Sequence, residues 1–398
     1  MASLFAHLSV WFGRKAWHED PPLEAPEELR RWSYTGIYDY CPMTWGMPKL
    51  NGVYVVIRKL GWGDFGTVWL AENSKAKTME ERYVAIKALR FEHVPKAVLH
   101  REVEILEAIR EVNPIHPGYK HITHLKDVFT IASINGDHLA MAFPVLGQRL
   151  EPQWTCSLPI HCIRNVARQL LLGLDYLHTE CHVIHTAIHA DDEHKDVPVS
   201  KLLRSPEVLL GGEWDTGVDL YSLGCMLFEL IEGRPLFDCR PTMRVSEDQY
   251  HLASIIQLLG PLPKRLLQCC SRTNDFYDAD GAFACLINAD QLLTRSAVNS
   301  IEERILKQHP GLSSHSLASF VSFLRYIMNP DPSERATAAD ALQHEWLALE
   351  TNDDIETTLD ETLGDPAALD TSTMPVSDVT IGGQSHEELI ETTGAQHD

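Results

Sequence analysis

A glycine-rich segment is the part of the chain whose residue types are best suited to bind phosphate groups. Residues 60–68 read LGWGDFGTV, in which Gly61, Gly63 and Gly66 have the spacing GxGxxG. Backbone without side chains can approach phosphate oxygens closely and direct N–H groups at them. The same spacing occurs in dinucleotide-binding turns, where a helix follows the glycines. Here a segment typical of a strand follows instead, which favours a loop that covers nucleotide phosphates.

A lysine on the next predicted strand supplies the positive charge that such a loop needs. Lys87 closes the tetrad VAIK at residues 84–87, and from a strand its ammonium group can pair with α- and β-phosphates. On the predicted helix that follows, Glu102 is placed to hold the lysine, and Glu104 is the poorer candidate. A glycine-kinked hairpin with a surface lysine is the structural alternative. The predicted ATP-binding residues are Leu60, Gly61, Trp62, Gly63, Asp64, Phe65, Gly66, Thr67, Val68, Ala85 and Lys87.

The elements that must position these residues change in character at about residue 150. Residues 53–60, 67–71 and 83–89 have the β-branched, alternating composition of strands. Helices are predicted later in the chain. One of them, at residues 218–231, is apolar on nearly every side, as in a helix at the centre of a domain. The pattern predicts an α+β fold with a small strand-rich lobe followed by a larger helical lobe.

The composition of the 398 residues excludes several classes of protein. Hydrophobic residues make up 44% and charged residues 23%, which is typical of globular chains and not of disordered ones. No stretch approaches the ~18 consecutive apolar residues of a membrane span. The net charge of -22 argues against general nucleic-acid binding, which needs a basic surface, but it suits basic protein partners. The nine cysteines form no CxxC pair, which is typical of reduced, intracellular proteins.

The two ends of the chain differ from the segment between them. Residues 1–50 show no clear period, and we interpret them as a leader that partly packs on the first lobe rather than as an organelle-targeting signal. Residues 350–398 hold thirteen Asp or Glu and no Lys or Arg, which predicts a disordered, solvated tail; an acidic docking segment is the alternative. Between the ends we predict a first lobe and hinge over residues 51–147 and a second lobe over residues 148–349.

Several strings in order make the chain resemble the eukaryotic protein kinase superfamily and, within it, the fungal members of the serine/arginine-protein kinase family. KLGWGDFGTVWLA, ECHVIHT, RSPEVLLG and HLASIIQLLG carry the narrower resemblance. It covers residues 53–347 and implies a two-lobed kinase fold with a hinge at residues 143–147. Members phosphorylate serines in Arg-Ser-rich proteins with ATP and magnesium, in the cytoplasm and the nucleus. The positions with structural roles in that family are His185, Asp219, Glu207 and its partner Arg335.

The catalytic loop departs from the family's pattern, His-Thr-Asp-Ile-Lys-x-Asp-Asn. Residues 185–192 read HTAIHADD, so that Ala187 stands where the catalytic aspartate is expected and leaves no catalytic residue intact. Loss of a general base typically costs ~100- to 10,000-fold in rate. His189 replaces a lysine, and Asp192 replaces the magnesium-binding asparagine, although a carboxylate can also bind magnesium. The eleven residues at 193–203 contain no Asp-Phe-Gly motif, which carries the main magnesium ligand in the family.

These departures leave two interpretations open. The first is a catalytically impaired pseudokinase or scaffold that keeps the nucleotide lobe and binds ATP weakly, without Mg²⁺. The second is an active serine/threonine kinase of which this chain lacks an internal segment, because residues 190–197 also resemble the activation segment beyond Asp-Phe-Gly. Ala187 precedes that gap, so a deletion alone does not explain the loop. A metal site is the weaker alternative, formed by His182, His185, His189, Asp191, Asp192 and His194, whose spacing fits no recognised site.

Overall fold

The fold is taken from a computed structural model of the chain. The described residues are 40–43, 47–63, 66–90, 96–134, 136–147, 158–185, 201–237, 245–278, 281, 283, 300–350 and 354. Most of the predicted leader, the predicted tail apart from Glu350 and Asp354, and the loop residues 186–200 lie outside this set.

A five-stranded antiparallel sheet and one helix make up the first lobe. The strands lie side by side in the order β1-β2-β3-β5-β4. Tight pairing of β1 with β2 and of β4 with β5 makes hairpins of these consecutive strands. The elements are β1 (Tyr54–Gly63), β2 (Gly66–Asn73), β3 (Tyr83–Leu89), α1 (Lys96–Glu111), β4 (Asp127–Ser133) and β5 (Gly136–Pro144).

The outer face of this sheet is buried under the chain that precedes it. Because side chains alternate along a strand, Val84, Ile86 and Ala88 of β3 all lie on this face, and each is at most 1% exposed. Cys41 and Met43 belong to the same apolar cluster and are each 4% exposed. The part of the predicted leader that is described therefore forms a layer of the first lobe's core.

The inner face of the sheet is covered over part of its area by α1. Leu89 and Met141 of the sheet are buried there, and Val103 and Leu106 of the helix pack against them. These helix residues recur at helical spacing, so one side of α1 is apolar and faces the sheet. This packing fixes how α1 is rotated about its axis, and hence which of its glutamates points at β3.

The far end of α1 is fastened to the second lobe. The Tyr176 hydroxyl donates a 2.6 Å hydrogen bond to the carbonyl of Ile109, and Asn113 Nδ2 donates to Glu180 Oε2 at 3.0 Å. Gly118 passes so close to the second lobe that a Cβ there would lie 1.9 Å from the carbonyl oxygen of Leu172. The helix that carries Glu102 is thus held at its carboxyl end.

Helices form the second lobe. Among the described residues, none of them combines the length and apolarity that a bilayer crossing requires. The short helices are α3 (Pro206–Leu209), α6 (Lys264–Cys269), α9 (Ala338–Ala341) and α10 (Glu345–Ala348). The longer ones are α2 (Ile160–Asp175), extended by a π-turn at Tyr176–Glu180, α4 (Gly217–Glu232), α5 (Glu247–Leu259), α7 (Ile301–Gln308) and α8 (Ser314–Ile327).

Helix α4 lies at the centre of this lobe, as its all-round apolar sequence predicts. Every residue from Val218 to Glu232 is buried. At Gly224 a Cβ would lie 2.4 Å from Met328 Sδ, so the absence of a side chain lets α4 and the end of α8 approach closely. The predicted α+β class and the two-lobed arrangement, with a strand-rich lobe before a helical one, are confirmed.

An ion pair inside the second lobe holds the chain that leaves it. Arg164 on α2 donates to Asp354 Oδ1 at 2.5 Å and to the carbonyl of Leu349 at 3.1 Å, and Ser316 also donates to Asp354 at 2.6 Å. The side chains of Arg164 and Asp354 are 4% and 7% exposed. The sequence places Asp354 in the solvated acidic tail, but the structure places it in the lobe, where Arg164 compensates its charge.

Substitution of Arg164 tests how much this contact stabilises the fold. We expect Arg164→Met to lower the free energy of unfolding by ~3–5 kcal/mol, because it leaves the Asp354 carboxylate buried without its partner. Arg265→Met is the matched control, since Arg265 pairs with Asp331 but is 56% exposed, and we expect a loss of ~0–1 kcal/mol. Urea unfolding measures both losses of stability. Equal losses would contradict the conclusion that the buried Arg164–Asp354 pair stabilises the lobe more than the exposed pair does.

A buried histidine makes the stability of the second lobe depend on pH. Burial lowers the pKa of His251 on α5 from 6.5 to about 4; Asp248 opposes this shift and Arg204 adds to it. Below pH 6.5 the unfolded chain therefore binds a proton that the folded chain does not. We expect the free energy of unfolding to fall by ~1.4 kcal/mol per pH unit from this residue, down to about pH 4.

The variant His251→Leu isolates that contribution. It should flatten the dependence of the unfolding free energy on pH between 6.5 and 4, as measured by urea unfolding at a series of pH values. His315→Leu, at an exposed position on α8, is the control and should leave the wild-type slope unchanged. A wild-type slope that persists in His251→Leu would show that other groups cause it.

Candidate functional site

An ion pair joins the sheet to helix α1 at the centre of the candidate site. Lys87 Nζ lies 3.2 Å from Glu102 Oε1, and the two side chains are 27% and 11% exposed. Glu104, the alternative, is exposed. Because α1 turns its apolar side to the sheet, Glu102 comes next to β3, and Glu104 is rotated away. The lysine is thus held in place while about a quarter of its side chain still faces solvent.

Next to this pair the inner face of the sheet carries uncovered apolar side chains. Val68 lies opposite Lys87 and Leu70 lies opposite Ala85 in the pairing of β2 with β3, so that all four share one face. Val68, Leu70 and Ala85 are only half-buried, whereas Val84, Ile86 and Ala88 on the outer face of β3 are fully buried. We call these three residues the apolar strip. It offers a flat, water-accessible surface beside a positive charge.

The three glycines of the phosphate loop have different structural constraints. A Cβ at Gly66 would lie 2.1 Å from the carbonyl oxygen of Ala88, so the close approach of β2 to β3 requires glycine there. A Cβ at Gly61 would meet nothing within 4 Å, although Gly61 lies opposite Val68 of the strip. Gly63 pairs with Gly66 where the hairpin turns. Of the two glycines whose surroundings the structure describes, Gly61 therefore has open space in front of its backbone and Gly66 does not.

Other residues predicted to bind ATP do not all face this space. Thr67 is 1% exposed and lies opposite Ala88, which places its side chain on the outer face, and Trp62 is its partner on β1. Leu60, in contrast, is 39% exposed. Asp64 and Phe65 lie outside the described residues. The backbone of Thr67 and Trp62, but not their side chains, can therefore contact a ligand on the side of Lys87.

On the second lobe, Asp219 at the start of α4 organises the entry to the catalytic loop. Its Oδ2 accepts the backbone N–H of His185 and a hydrogen bond from His178 Nε2, each at 2.8 Å. Burial lowers the pKa of His185; the Asp219 carboxylate opposes this shift and His178 adds to it. The sequence predicts roles for His185 and Asp219 but none for His178, which also donates to the Asp219 carboxylate.

A second buried ion pair holds α3, the helix that follows the loop along the chain. Arg335 donates to both carboxylate oxygens of Glu207 on α3, at 2.7 Å and 3.0 Å, and both side chains are at most 1% exposed. Arg335 also donates through Nε to the carbonyl of Asn329 at 2.9 Å. A bidentate pair of this kind fixes the orientation of α3 relative to Arg335 as well as the distance between them. The framework on both sides of the shortened segment is therefore in place.

The residues on which catalysis or metal binding would depend lie outside the described part of the chain. These are Ala187, His189, Asp191, Asp192 and His194. His182 and His185, the two described members of the proposed metal cluster, do not suffice, and no group of three or more metal-binding side chains occurs among the described residues. The metal-site hypothesis thus gains no support from the structure.

Comparison with protein families agrees with this arrangement. The family "Protein kinase domain" matches the chain in two stretches, residues 54–192 and 186–347. The two stretches share residues 186–192, so that these residues match both the end of the first stretch and the start of the second. The family's continuous pattern is therefore interrupted at the loop that contains Ala187.

Curated proteins with similar sequences are protein kinases. A serine/threonine protein kinase of Aspergillus fumigatus is 26% identical over 349 residues, which cover 74% of this chain and 84% of that protein. The serine/threonine-protein kinase SRPK of Physarum polycephalum is 26% identical over 377 residues, or 74% of this chain and 86% of its own. SRSF protein kinase 3 of Homo sapiens is 37% identical over 163 residues, which cover 39% and 28%.

The contrast between two glycines tests the geometry of the site. We expect Gly66→Ala to lower the free energy of unfolding by ~3 kcal/mol or more, because the new Cβ overlaps the backbone of β3. Gly61→Ala should change it by less than ~0.5 kcal/mol, since its Cβ meets nothing. Urea unfolding measures both changes.

In an ADP titration, Gly61→Ala should still lower the affinity at least threefold, and an unchanged affinity would place the ligand elsewhere.

Proposed function

This chain belongs to the protein kinase family, and from that membership we propose that it is a nucleotide-binding protein of the serine/arginine-protein kinase type, impaired in phosphoryl transfer as its sequence stands. The observation that carries the proposal is the contrast between two regions. The first lobe keeps Lys87 paired with Glu102 beside an open apolar strip. The catalytic loop has Ala187 in place of the general base and no Asp-Phe-Gly motif after it.

The binding step follows from the residues of the first lobe. The apolar strip supports the base, and burial of its surface favours binding. The backbone at Gly61 has room for the phosphates to approach, and Lys87 contributes charge to them. Backbone groups of the predicted hinge at residues 143–147 lie at the end of β5 and just beyond it, and supply hydrogen bonds to the edge of the base. ATP therefore fits this donor set.

The residues of this chain fit magnesium less well than they fit ATP. In the family one ligand is the Asp of Asp-Phe-Gly, which is missing after residue 185, and the other is the asparagine that Asp192 replaces. One carboxylate alone does not hold the ion between the phosphates, because magnesium needs several oxygen ligands at fixed geometry. The chain's own residues thus bind and orient a nucleotide but supply neither the base nor the charge neutralisation that transfer requires.

Basic, Arg-Ser-rich proteins are the partners that we propose. The net charge of -22 favours them by electrostatic attraction, and part of the chain is similar to SRSF protein kinase 3. Direct binding to nucleic acid is disfavoured by the same charge. We propose a location inside the cell, in the cytoplasm, the nucleus or both, as implied by the resemblance to that family.

The second candidate is an active serine/threonine kinase. On this interpretation, the present sequence lacks an internal segment of that kinase. It is favoured by one observation, the overlap of the two family matches at residues 186–192, since a lost segment brings the flanking patterns together in this way. A chain in which the interval between His185 and Arg204 is replaced by that of the Physarum kinase should then phosphorylate an Arg-Ser peptide. The second lobe's framework at Asp219 and Glu207 is already suited to receive it.

A phosphorylation assay tests the proposed impairment. The purified chain, given ATP, magnesium and an Arg-Ser-repeat peptide, should transfer no more phosphate than its Lys87→Met variant. We expect Ala187→Asp to restore less than a tenth of the ~100- to 10,000-fold that a general base supplies, because the metal ligand is still missing. Transfer by the wild-type chain that disappears in Lys87→Met would refute the proposal and favour the active kinase.

A further inference from the structure

We propose that Asn51 is a site of spontaneous deamidation, and that the reaction irreversibly separates the turn before β1 from strand β4. Asn51 is followed by Gly52, and both residues are exposed. The inference is independent of the proposed function, because none of the residues that carry it belongs to the nucleotide site. It rests on the backbone conformation of the turn and on the contact of its asparagine with Asp127.

The turn at Asn51 and Gly52 joins the start of β1 to the first residue of β4. Both turn residues are left-handed, with φ of 49° and 66°, and Leu50 pairs with Tyr54 across them. Asn and Gly adopt this conformation more readily than other residues, and so they suit the turn. The Asn51 amide donates to Asp127 Oδ2 at 3.1 Å, and the Tyr54 hydroxyl donates to the same oxygen at 3.0 Å. Two donors from this end of β1 therefore share one carboxylate oxygen of β4.

The sequence Asn-Gly also favours a reaction between backbone and side chain, because glycine has no Cβ to shield its nitrogen. The Gly52 nitrogen loses its proton and attacks Asn51 Cγ, so that the N–Cγ bond forms, the Cγ–Nδ2 bond breaks and ammonia leaves with the proton. Water then adds to a carbonyl carbon of the succinimide ring and opens the ring to aspartate or isoaspartate. The net change is uptake of water and loss of ammonia, without an oxidant or a reductant. Water has access to the turn, since even a Cβ at Gly52 would meet nothing within 4 Å.

The folded turn restrains this reaction. A left-handed residue directs the next backbone nitrogen away from its own side chain, so Asn51 must leave that conformation before the ring can close. The hydrogen bond to Asp127 also holds the amide, and the backbone N–H of Val128 fixes the carboxylate by donating to Asp127 Oδ1 at 2.9 Å. The turn can nevertheless open, because it is exposed and the Gly52 N–H donates to the Lys49 carbonyl at a long 3.3 Å. The rate of deamidation therefore follows the fraction of time for which the turn is open.

The product cannot restore the contact that the amide made. A carboxylate at position 51 has no hydrogen to donate, and its charge repels that of Asp127 across the former hydrogen-bond distance. The groups that donate to Asp127 are Asn51, Tyr54 and Val128, and none of them is positively charged. Isoaspartate also adds a carbon to the main chain, which shifts Leu50 relative to Tyr54. Deamidation thus turns an attractive contact into a repulsive one.

The change extends to the apolar layer that covers the outer face of the sheet. Leu50 is 6% exposed and belongs to the same cluster as Cys41 and Met43. The Tyr54 ring stacks on Phe129 of β4, with 5.5 Å between the ring centroids. The turn places both Leu50 and Tyr54, so its separation from β4 loosens the layer where the leader reaches β1.

Peptide mapping of the full chain during incubation in warm, mildly alkaline buffer tests the reaction. Trypsin releases residues 50–58, and their conversion to the acid is followed by mass and by chromatography. A free peptide of residues 50–58 supplies the unrestrained rate, and the folded chain should react at least ~5-fold more slowly. Asp127→Ala should raise the rate in the folded chain at least ~3-fold, whereas Tyr54→Phe, the matched control that removes the other donor to that oxygen, should change it less than ~2-fold.

A second Asn-Gly pair, Asn135–Gly136, lies on a different tryptic peptide and serves as the internal reference. Its rate should be the same in the wild-type chain and in Asp127→Ala. Equal acceleration at Asn135 would assign the effect to general unfolding and contradict the inference. Equal rates at Asn51 in the folded chain and in the free peptide would overturn the restraint by Asp127, and no conversion of Asn51 in either folded chain would overturn the site.

Hydrogen exchange tests the structural consequence with three variants. Asn51→Asp should raise exchange of the Leu50 and Tyr54 amides, which bond to each other's carbonyls, at least ~10-fold. Asn51→Gly, the matched control, removes the amide without adding charge and tolerates the left-handed backbone, so it should raise exchange less than ~3-fold. Asn51→Asp combined with Asp127→Asn restores one donor and one acceptor and should return exchange to within ~2-fold of wild type. Equal exchange in Asn51→Asp and Asn51→Gly, or failure of the combined variant to restore protection, would contradict the inference.

Discussion

The contact between Lys87 and Glu102 depends on nearly every feature of the first lobe. It forms only if β3 lies centrally in the sheet and turns its alternate side chains inward. It also requires that α1 pack on the sheet through Val103 and Leu106, which sets the rotation that presents Glu102. The carboxyl end of α1 is held by the hydrogen bond from Tyr176 to Ile109, which links this geometry to the second lobe. The ion pair therefore forms only when the sheet, the helix and the second lobe are all correctly placed.

The second lobe keeps buried charges whose arrangement is costly unless it is complete. Removal of one partner from a buried ion pair leaves an uncompensated charge in a medium of low polarity. Glu207 with Arg335, and Asp219 with His178 and the backbone of His185, are complete in the structure although the segment between them is short. Glu207 and Asp219 lie on α3 and α4, Arg335 follows α8, and His178 lies in the π-turn that extends α2. Their geometry is therefore set by helix packing and does not need the missing motif. The framework on both sides of the loop is thus complete without an Asp-Phe-Gly motif in the sequence between them.

Sequence reasoning was most successful where periodicity and local spacing carry the information. The three strands before α1, the apolar helix α4 and the choice of Glu102 over Glu104 follow from alternation and helical spacing. It could not distinguish Gly61 from Gly66, since the identical residue types differ only in how near another strand passes. It also placed Asp354 in the solvated tail, because a single carboxylate in an acidic segment gives no sign of the distant Arg164 that neutralises it. Long-range partners of this kind are set by packing and not by local pattern.

The account holds that an intact nucleotide lobe is joined to a catalytic loop that has lost its chemistry, and the loop's own sequence is its most direct test. Trypsin should release residues 169–195 as one peptide, since Arg168 and Lys195 bound a stretch without Lys or Arg. Mass spectrometry of the protein isolated from its own cells should detect that peptide, with Ala187-Ile188-His189-Ala190 running directly into Asp191-Asp192. A native peptide that contains an inserted segment with Asp-Phe-Gly would contradict the account and identify a working kinase.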